Sequence, residues 1–308
     1  MRHAYLIIAH SNWEQLKTLL QLLDEVNNAI YIHIDSKATD VPMIDLRKSV
    51  KKAQIWLYQK YKVYWGSFEL VQVELLLFQE AYKKHYDYYH LLSGADLPIK
   101  TQEEINSFFE KNNGLEFVQY DTNERFEKDK EIGRRTKLYH FLQNYRRRYN
   151  WKLLNSFFTL LERISLAVQL LLHIDRMRKY PKVVVKYGSQ WVSITDDLVE
   201  YLLQNEALIQ HLFHCTNCAD ELFIQTLVYN SEFKNRLYDK DFDDDVRGNM
   251  RLIDMKKRGN NGNPYTWRIT DIEEIKQSKC LFARKFDSNV DAEVIGAVCK
   301  LVKGEEKE

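Results

Sequence analysis

Short apolar runs alternate with helical patterns over the first 120 residues of the chain. Each run is followed by polar residues, which is typical of a buried strand, and the segments between the runs place apolar residues at helical spacing. This alternation predicts an α/β fold with a mostly parallel central sheet and helices on both faces. The predicted strands are residues 4–9, 29–34, 55–58, 88–92 and 115–120, and the predicted helices are residues 13–23, 68–82 and a segment that a capping box opens at Thr101.

The alternation resumes after residue 186 and continues almost to the end of the chain. No internal repeat or low-complexity tract divides the sequence, and 4 Pro and 10 Gly leave little room for a flexible linker. We therefore expect one domain over residues 1–308. The predicted strands are residues 188–194, 251–255, 267–269 and 281–284, and the predicted helices are residues 196–212, 221–229, 271–277 and 292–301.

Polar residues follow several of the early strands. His10 follows the first strand, Asp35 follows the second, and residues 93–96 follow the fourth. Ligands of parallel α/β sheets bind outside the carboxyl ends of the strands, so these residues are the first candidates for a site.

A basic and aromatic segment, residues 125–180, interrupts the alternation. It contains three consecutive arginines at 146–148 and a strongly apolar stretch at 153–173. We expect a helical excursion within the domain. In the interpretation that we favour, its apolar face packs on the sheet. In the other, residues 135–175 lie on an anionic membrane surface. No known nucleic-acid-binding motif accompanies the arginines, so we expect no nucleic-acid partner.

The composition is that of an ordinary folded protein. Of the 308 residues, 45% are hydrophobic and 29% are charged, which excludes a disordered chain, and a net charge of +1 gives no field that attracts nucleic acid. Four cysteines do not suggest a disulfide scaffold. The first apolar run is too short for a signal peptide, and no uncharged stretch is long enough to span a bilayer. We therefore expect a cytoplasmic protein, with peripheral contact to the inner face of the cell membrane left open.

Six short motifs follow one another along the chain, at residues 31–37 (YIHIDSK), 63–67 (VYWGS), 92–100 (LSGADLPIK), 188–191 (GSQW), 220–221 (DE) and 282–287 (FARKFD). Together and in this order they resemble the core-2/I-branching β-1,6-N-acetylglucosaminyltransferase family, which includes the peptide O-xylosyltransferases, and the chain is similar to a bacterial-type member. The match is poorest over the basic and aromatic segment.

The resemblance implies a GT-A type nucleotide-sugar (Rossmann-like) fold. It implies an inverting glycosyltransferase that needs no metal and no cofactor besides its donor. The expected donor is a UDP-sugar that supplies N-acetylglucosamine or xylose. The expected acceptor is a hydroxyl of a glycan or of a lipid-linked glycan.

Glu221 and Lys285 match the residues to which the family assigns the chemistry. Inverting transfer needs a base for the acceptor proton, and the resemblance assigns that role to Glu221. The leaving diphosphate gains charge, which Lys285 and an arginine would hold. Arg268 aligns best with this arginine, and Arg284 is the second choice. By position alone, Glu221 is a helix-cap acid and Lys285 a solvated strand end.

The resemblance also assigns residues to the donor and the acceptor. Asp35 would contact uridine or sugar, although a turn carboxylate explains it equally well. Trp191 would stack on the acceptor sugar or fill the core. Further nucleotide-sugar residues are Ile8, Trp65, Gly66 and Ser67, and further sugar or acceptor residues are Ser93, Gly94, Asp96, Ser189, Gln190 and Asp220.

Two metal sites and two other functions are disfavoured. The acidic run at residues 239–245 follows the proposed base instead of ending an early strand, and Cys215 and Cys218 lack a second pair at zinc spacing. A glycoside hydrolase would need carboxylates on opposite sides of the bond, which the adjacent Asp220 and Glu221 rarely provide. A non-catalytic glycan- or membrane-binding module is the remaining alternative.

Overall fold

The computed structural model describes residues 1–122, 130–145, 148–149, 151–241, 246–255 and 263–305. Its strands are β1 (His3–Ala9), β2 (Asn28–Ile34), β3 (Gln54–Tyr58), β4 (Tyr88–Ser93), β5 (Asp96–Pro98), β6 (Ser193–Thr195), β7 (Arg251–Ile253) and β8 (Phe282–Arg284). Its α-helices are α1 (Trp13–Leu22), α2 (Met43–Lys48), α3 (Glu69–Tyr82), α4 (Gln102–Lys111), α5 (Lys130–Lys137), α6 (Lys152–Leu171), α7 (Asp196–Gln204), α8 (Glu206–Phe213), α9 (Phe223–Tyr229), α10 (Ile272–Gln277) and α11 (Ala292–Lys303).

Within these residues, the central sheet has the strand order β3-β2-β1-β4-β6. The first four of these strands are mutually parallel, and β6 is antiparallel to β4. A second sheet, β5-β8-β7, pairs Asp96 with Arg284 in its register. The second sheet therefore brings the LSGADLPIK and FARKFD motifs together.

Alternate residues of β1 enter two separate cores. Ala4 and Leu6 pack with α3, α7, α8 and α9 on one face of the sheet, and Tyr5 and Ile7 pack with α1, α4, α10 and α11 on the other. This is the result expected for a central strand with helices on both faces. The predicted fold class is confirmed. The organisation of residues 1–308 as one domain stays a prediction.

The predicted strand at residues 115–120 is wrong, and the one at 188–194 shortens to β6. Glu116 and Phe117 form only isolated bridges. The backbone amide of Ser189 donates to the side chain of Gln119 (2.7 Å), and that of Gly188 donates to the carbonyl of Glu221 (3.0 Å). Because these amides bind a side-chain oxygen and a carbonyl outside the sheet, they are not free to extend a strand ladder.

Three other element boundaries differ from the prediction. The helix predicted at 196–212 breaks at Asn205, whose side chain donates to the carbonyl of Tyr201 (2.8 Å). The helix predicted from residue 221 is preceded by a 3-10 turn, Ala219–Glu221. Residues 267–269 are not a strand, because the chain turns into the 3-10 helix Ile269–Asp271. The capping box of Thr101 and Glu104 is confirmed.

Helix α6 overturns the interpretation that we favoured for the basic and aromatic segment. Its apolar residues do not pack on the sheet. Leu153, Phe157, Leu160, Ile164 and Leu171 are all exposed. Among the described helices, α6 is long and apolar enough to cross a membrane, by length and composition. An 18-residue stretch of α6 has a mean hydropathy of 1.2, and 11% of that stretch is buried in the protein. Its buried residues are polar, which the sequence reasoning had not considered.

Candidate active site

The carboxyl ends of β1, β2 and β4 meet at one edge of the sheet. The register places Ile8 opposite both His33 and Ser93. The amide of Gly94 donates to the carbonyl of Ile8 (3.0 Å), and the amide of Asp35 donates to the carbonyl of Ala9 (2.9 Å). Ile8, Asp35, Ser93 and Gly94 therefore lie together, as the parallel sheet predicts.

Asp35 anchors the loop that follows β3. Its Oδ1 accepts hydrogen bonds from the amides of Lys37 (2.9 Å) and Val63 (3.4 Å), and its Oδ2 lies 3.3 Å from Lys37 Nζ. The Lys37 ammonium also lies 4.2 Å from the ring centroid of Tyr64. These contacts place the VYWGS motif beside the end of β2.

Gly66 connects this loop to the acidic pair. Its φ of +76° is in the left-handed region, and an added Cβ would lie 2.5 Å from Asn217 Oδ1. Its carbonyl accepts from the amide of Cys218 (2.9 Å). The neighbouring Trp65 side chain is exposed, whereas Ser67 is fully buried. Ser67 is not the helix N-cap, because that position is Phe68.

Glu221 and Asp220 have opposite environments although they are adjacent. The Glu221 side chain is 33% exposed, and its Oε2 accepts a hydrogen bond from Arg135 Nη1 (2.9 Å). Asp220 is buried, and its Oδ1 lacks a hydrogen-bond partner among the described residues. Burial, followed by the negative charge of Glu221, raises the pKa of Asp220 above its ordinary value. Of the two carboxyl groups, that of Glu221 is the one partly exposed to solvent.

A second buried carboxyl group, Glu74 of α3, lies behind this pair. Burial and the charge of Asp220 raise its pKa well above the ordinary value of 4.5. Its Oε1 accepts from Gln190 Nε2 (2.7 Å), so the Gln190 side chain faces the core. Sequence reasoning missed Glu74, although a lone acid within the apolar run Val73–Phe78 was a signal.

Gly188, the first residue of the GSQW motif, packs directly against the backbone of Gln119. An added Cβ at Gly188 would lie 2.0 Å from the carbonyl oxygen of Gln119, so only glycine fits. Ser189 accepts at its carbonyl from Gln225 Nε2 (2.6 Å). Because the Gly188 amide also binds Glu221, the motif and the proposed base are held together by backbone contacts.

Arg284 contacts three other predicted residues, and the four form one cluster. Its Nη1 donates to Asp96 Oδ1 (2.7 Å) and to Ser93 Oγ, and its guanidinium carbon lies 4.5 Å from the ring centroid of Trp191. Asp96 is 1% exposed, and its Oδ2 accepts from the amide of Ser93 (2.9 Å). Arg284 and Asp96 are thus engaged with each other. That Asp96 receives sugar hydroxyls stays a prediction.

Lys285 and Arg268 lie on adjacent segments of backbone. The amide of Trp267 donates to the carbonyl of Lys285 (3.0 Å), and Trp267 Nε1 donates to the carbonyl of Arg284 (3.0 Å). The Lys285 ammonium forms no ion pair within the part of the chain that the structure describes. Arg268 is exposed. The pKa of Asp291 is lowered mainly by hydrogen bonds from the backbone amides of Ile269 and Val294, and the charge of Arg268 makes a smaller contribution in the same direction.

Two polar residues at this edge were not predicted. Arg135 belongs to the basic segment, and nothing in its spacing indicated the contact with Glu221. Gln15, on the first helix, is buried and donates from Nε2 to the carbonyl of Phe286 (2.9 Å), while its Oε1 accepts from the amide of Ser288 (3.0 Å). Gln15 thereby fixes the loop that follows Lys285.

The described residues contain no group of three His, Cys, Asp or Glu side chains that could hold a metal ion. Cys215 and Cys218 form no disulfide bond within the described residues, and Cys215 Sγ lies 3.6 Å from His214 Nδ1. Residues 242–245 of the acidic run lie outside the described part of the chain.

A mostly parallel sheet that gathers these motifs at its carboxyl edge has the architecture of the GT-A type nucleotide-sugar fold. The family model of the Core-2/I-Branching enzyme matches residues 3–279, and the chain belongs to this family of glycosyltransferases. The predicted family is confirmed.

Curated relatives carry the name xylosyltransferase. Xylosyltransferase 2 of Canis lupus familiaris is 23% identical over 96% of this chain, and Xylosyltransferase sqv-6 of Caenorhabditis briggsae is 25% identical over 92%. The chain spans about a third of the length of these relatives, 33% and 34%. Among solved structures, apo mouse xyloside xylosyltransferase 1 is 10% identical, with 74% of this chain and 81% of that chain covered and a TM-score of 0.32.

Proposed function

We propose that the chain transfers a sugar from a UDP-sugar to a hydroxyl of a glycan, with inversion and without a metal ion. The observation that carries the proposal is the partly exposed Glu221 carboxylate, which Arg135 binds. The Glu221 backbone is bound to Gly188 of the GSQW motif, and Trp191 of that motif lies against Arg284, the neighbour of Lys285. The carboxyl edge of the sheet is where ligands of α/β folds bind.

Glu221 is the proposed base. The acceptor oxygen forms a bond to the anomeric carbon while the bond from that carbon to the phosphate oxygen breaks. The hydroxyl proton goes to Glu221, and UDP leaves with the electron pair of the broken bond. The burial of Asp220 supports the choice of Glu221, because a base must reach the acceptor.

Lys285 and Arg268 are the proposed diphosphate ligands. Cationic donors beside the leaving group stabilise the charge that develops on it. The adjacency of their backbones supports a shared role. Arg284 is less suitable, because its guanidinium already binds Asp96 and Ser93. We assign it to holding Trp191 and Asp96 beside the donor.

The donor sugar is proposed to be xylose or N-acetylglucosamine. The names of the curated relatives favour xylose. N-acetylglucosamine is supported by the resemblance stated above, since the name of the matched family mentions no sugar. The proposed acceptor is a glycan or a lipid-linked glycan. Binding of the nucleotide-sugar by Trp65 and of the sugar or acceptor by Ser189 and Trp191 belongs to the same proposal.

Release of UDP tests this function. The chain is incubated with UDP-xylose or UDP-N-acetylglucosamine, with and without a panel of glycan acceptors, in EDTA or in Mn²⁺. We expect release that depends on the acceptor and persists in EDTA. Release that needs Mn²⁺ would overturn the metal-free claim. Cleavage of a glycan with no UDP-sugar present would favour the hydrolase alternative.

Binding of UDP tests the assignment of Lys285. Lys285→Ala removes one charged contact to phosphate, and we expect affinity to fall about 10- to 100-fold, as for loss of a charge-assisted hydrogen bond. Lys279→Ala, an exposed lysine six residues earlier, is the matched control. Equal UDP affinity in Lys285→Ala and in the control would remove Lys285 from the site.

A further inference from the structure

Helix α6 presents a continuous apolar stripe to solvent. Leu153, Phe157, Leu160, Ile164 and Leu171 recur three, four or seven residues apart and are between 51% and 79% exposed. Residues at this spacing share one face of a helix. Twenty residues extend about 30 Å, so the stripe is far larger than the scattered apolar residues of an ordinary surface.

The opposite face of α6 is the one attached to the protein, and its buried residues are polar. Glu162 and Gln169 are the buried residues of this helix. Glu162 accepts from His140 Nδ1 and from the amide of Leu142, both at 3.1 Å. Gln169 exchanges two hydrogen bonds with the backbone of Tyr139, at 2.8 and 2.9 Å. These contacts fix the orientation of the helix, so the exposed stripe is a defined surface.

The charges around the stripe are positive. Lys152 and Arg163 are exposed on α6, and its sole acid, Glu162, is buried. From residue 132 to 182 the sequence contains twelve lysines and arginines against two acids, and of these twelve Arg135 and Arg176 bind Glu221 and Thr136 within the protein. Trp151, at the start of the helix, is 66% exposed, and aromatic rings of this kind favour the membrane interface.

A second copy of the chain fits this surface less well than an anionic surface does. Paired helices specify each other by opposite charges beside the apolar seam. Here the flanking Leu161, Val168 and Leu170 are apolar, and Arg163 would meet only other cations. A helix crossing the bilayer also fits poorly, because it would bring Glu162 and Gln169 into hydrocarbon and break their bonds to residues 139–142.

We propose that the exposed face of α6 docks in the plane of an anionic membrane. The apolar stripe enters the boundary between headgroups and acyl chains, and the surrounding lysines and arginines bind anionic headgroups. This proposal is independent of the reaction proposed above. The cytoplasmic leaflet of the cell membrane is the anionic one, and a cytoplasmic protein, as predicted above, would meet that leaflet.

Docking at α6 would place the candidate active site close to the lipid surface. Residues 139–142, which bind the polar face of α6, directly follow α5. Helix α5 contains Arg135, whose guanidinium binds Glu221. The docking surface is therefore connected to the base proposed above through residues 135–142.

Sedimentation with vesicles tests the docking surface. The full chain is mixed with vesicles of phosphatidylcholine alone or with about one-third phosphatidylglycerol. We expect binding to the anionic vesicles that weakens in about 1 M salt, because salt screens the headgroup attraction. Leu160→Glu/Ile164→Glu should weaken binding at least about tenfold, since both side chains would enter the interface.

Two further variants keep the test decisive. Val26→Glu/Ile44→Glu alters residues that are 74% and 69% exposed elsewhere, and it should bind like the unmodified chain. Lys152→Glu/Arg163→Glu leaves the apolar stripe intact and should weaken binding to anionic vesicles alone. No sedimentation of the unmodified chain would overturn the proposal. A dimer that Leu160→Glu/Ile164→Glu separates, without vesicle binding, would assign the face to a second copy.

Discussion

Helices α3 and α6 are both largely apolar, and each buries one glutamate, yet they face the protein in opposite ways. In α3 the apolar residues Val73, Leu77 and Phe78 are fully buried, and Glu74 is the exception among them. In α6 the apolar residues are exposed, and Glu162 lies on the buried face. Composition alone does not distinguish these arrangements.

The partners of the two glutamates explain the difference. Both carboxylate oxygens of Glu162 accept hydrogen bonds from residues 140–142, so the polar face of α6 is stabilised where it contacts the protein. Glu74 Oε1 accepts one hydrogen bond, from Gln190, and Glu74 Oε2 accepts none from the described residues. A buried carboxylate with few partners becomes protonated, whereas one with matched donors can orient a helix.

Replacing a leucine by alanine should show the largest difference in stability between the two helices. Leu77→Ala in α3 leaves a cavity in the core and should lower the free energy of unfolding by about 2–5 kcal/mol. Leu160→Ala in α6 removes an exposed side chain and should change it by less than about 0.5 kcal/mol. Denaturant unfolding measures both. A cost at Leu160 that equals the cost at Leu77 would mean that α6 is packed on its apolar face.

The pH dependence of stability should identify Glu74 as a protonated core residue. The native state keeps a proton that the unfolded chain releases above pH 4.5, so rising pH favours unfolding. Relative to Glu74→Gln, the unmodified protein should lose about 1.4 kcal/mol per pH unit above 4.5, until the pH reaches the native pKa.

Buried histidines contribute with the opposite sign but cancel in this comparison. Burial lowers the pKa of His3 and His33 to about 4, so their contribution to stability is lost as the pH falls below 6.5 in both proteins. The difference in unfolding free energy between the unmodified protein and Glu74→Gln should therefore report Glu74 together with its interaction with Asp220. A difference that is flat from pH 4.5 to 8 would contradict the buried, protonated Glu74.

Replacing the polar anchor of α6 should destabilise the protein although it makes the helix more apolar. Glu162→Leu leaves the amide of Leu142 and the ring of His140 without their acceptor, at a cost of about 1–3 kcal/mol. Arg163→Leu, one position later and exposed, should cost less than about 0.5 kcal/mol. A gain in stability from Glu162→Leu would contradict the orientation of α6 in which Glu162 faces the protein.

The parallel sheet was predictable because each strand repeats a local signal. β1 to β4 are continuous apolar runs followed by polar residues, and their helices show regular spacing. The short strands were harder. β5 is three residues long, and its pairing with β8 depends on contacts between Asp96 and Arg284 that are 188 residues apart.

The orientation of α6 and the contact of Arg135 could not be predicted, because both depend on tertiary partners. An apolar stripe indicates that one face is apolar, but it does not indicate whether that face meets protein, lipid or water. The resemblance proposes Glu221 as the base, and the structure supports preferring it over Asp220. That reason is burial, which adjacent residues in a sequence do not reveal.

Glu221→Gln tests the central claim most directly. The variant keeps the size of the side chain and its contact with Arg135 in part, but it removes the base, so acceptor-dependent UDP release should fall about 100- to 10,000-fold. UDP affinity should stay within about threefold, since that change is below the loss of a single hydrogen bond. Glu232→Gln, an exposed glutamate in the 3-10 helix Glu232–Arg236, is the control and should retain activity. Full UDP release by Glu221→Gln would contradict the assignment of Glu221 as the catalytic base.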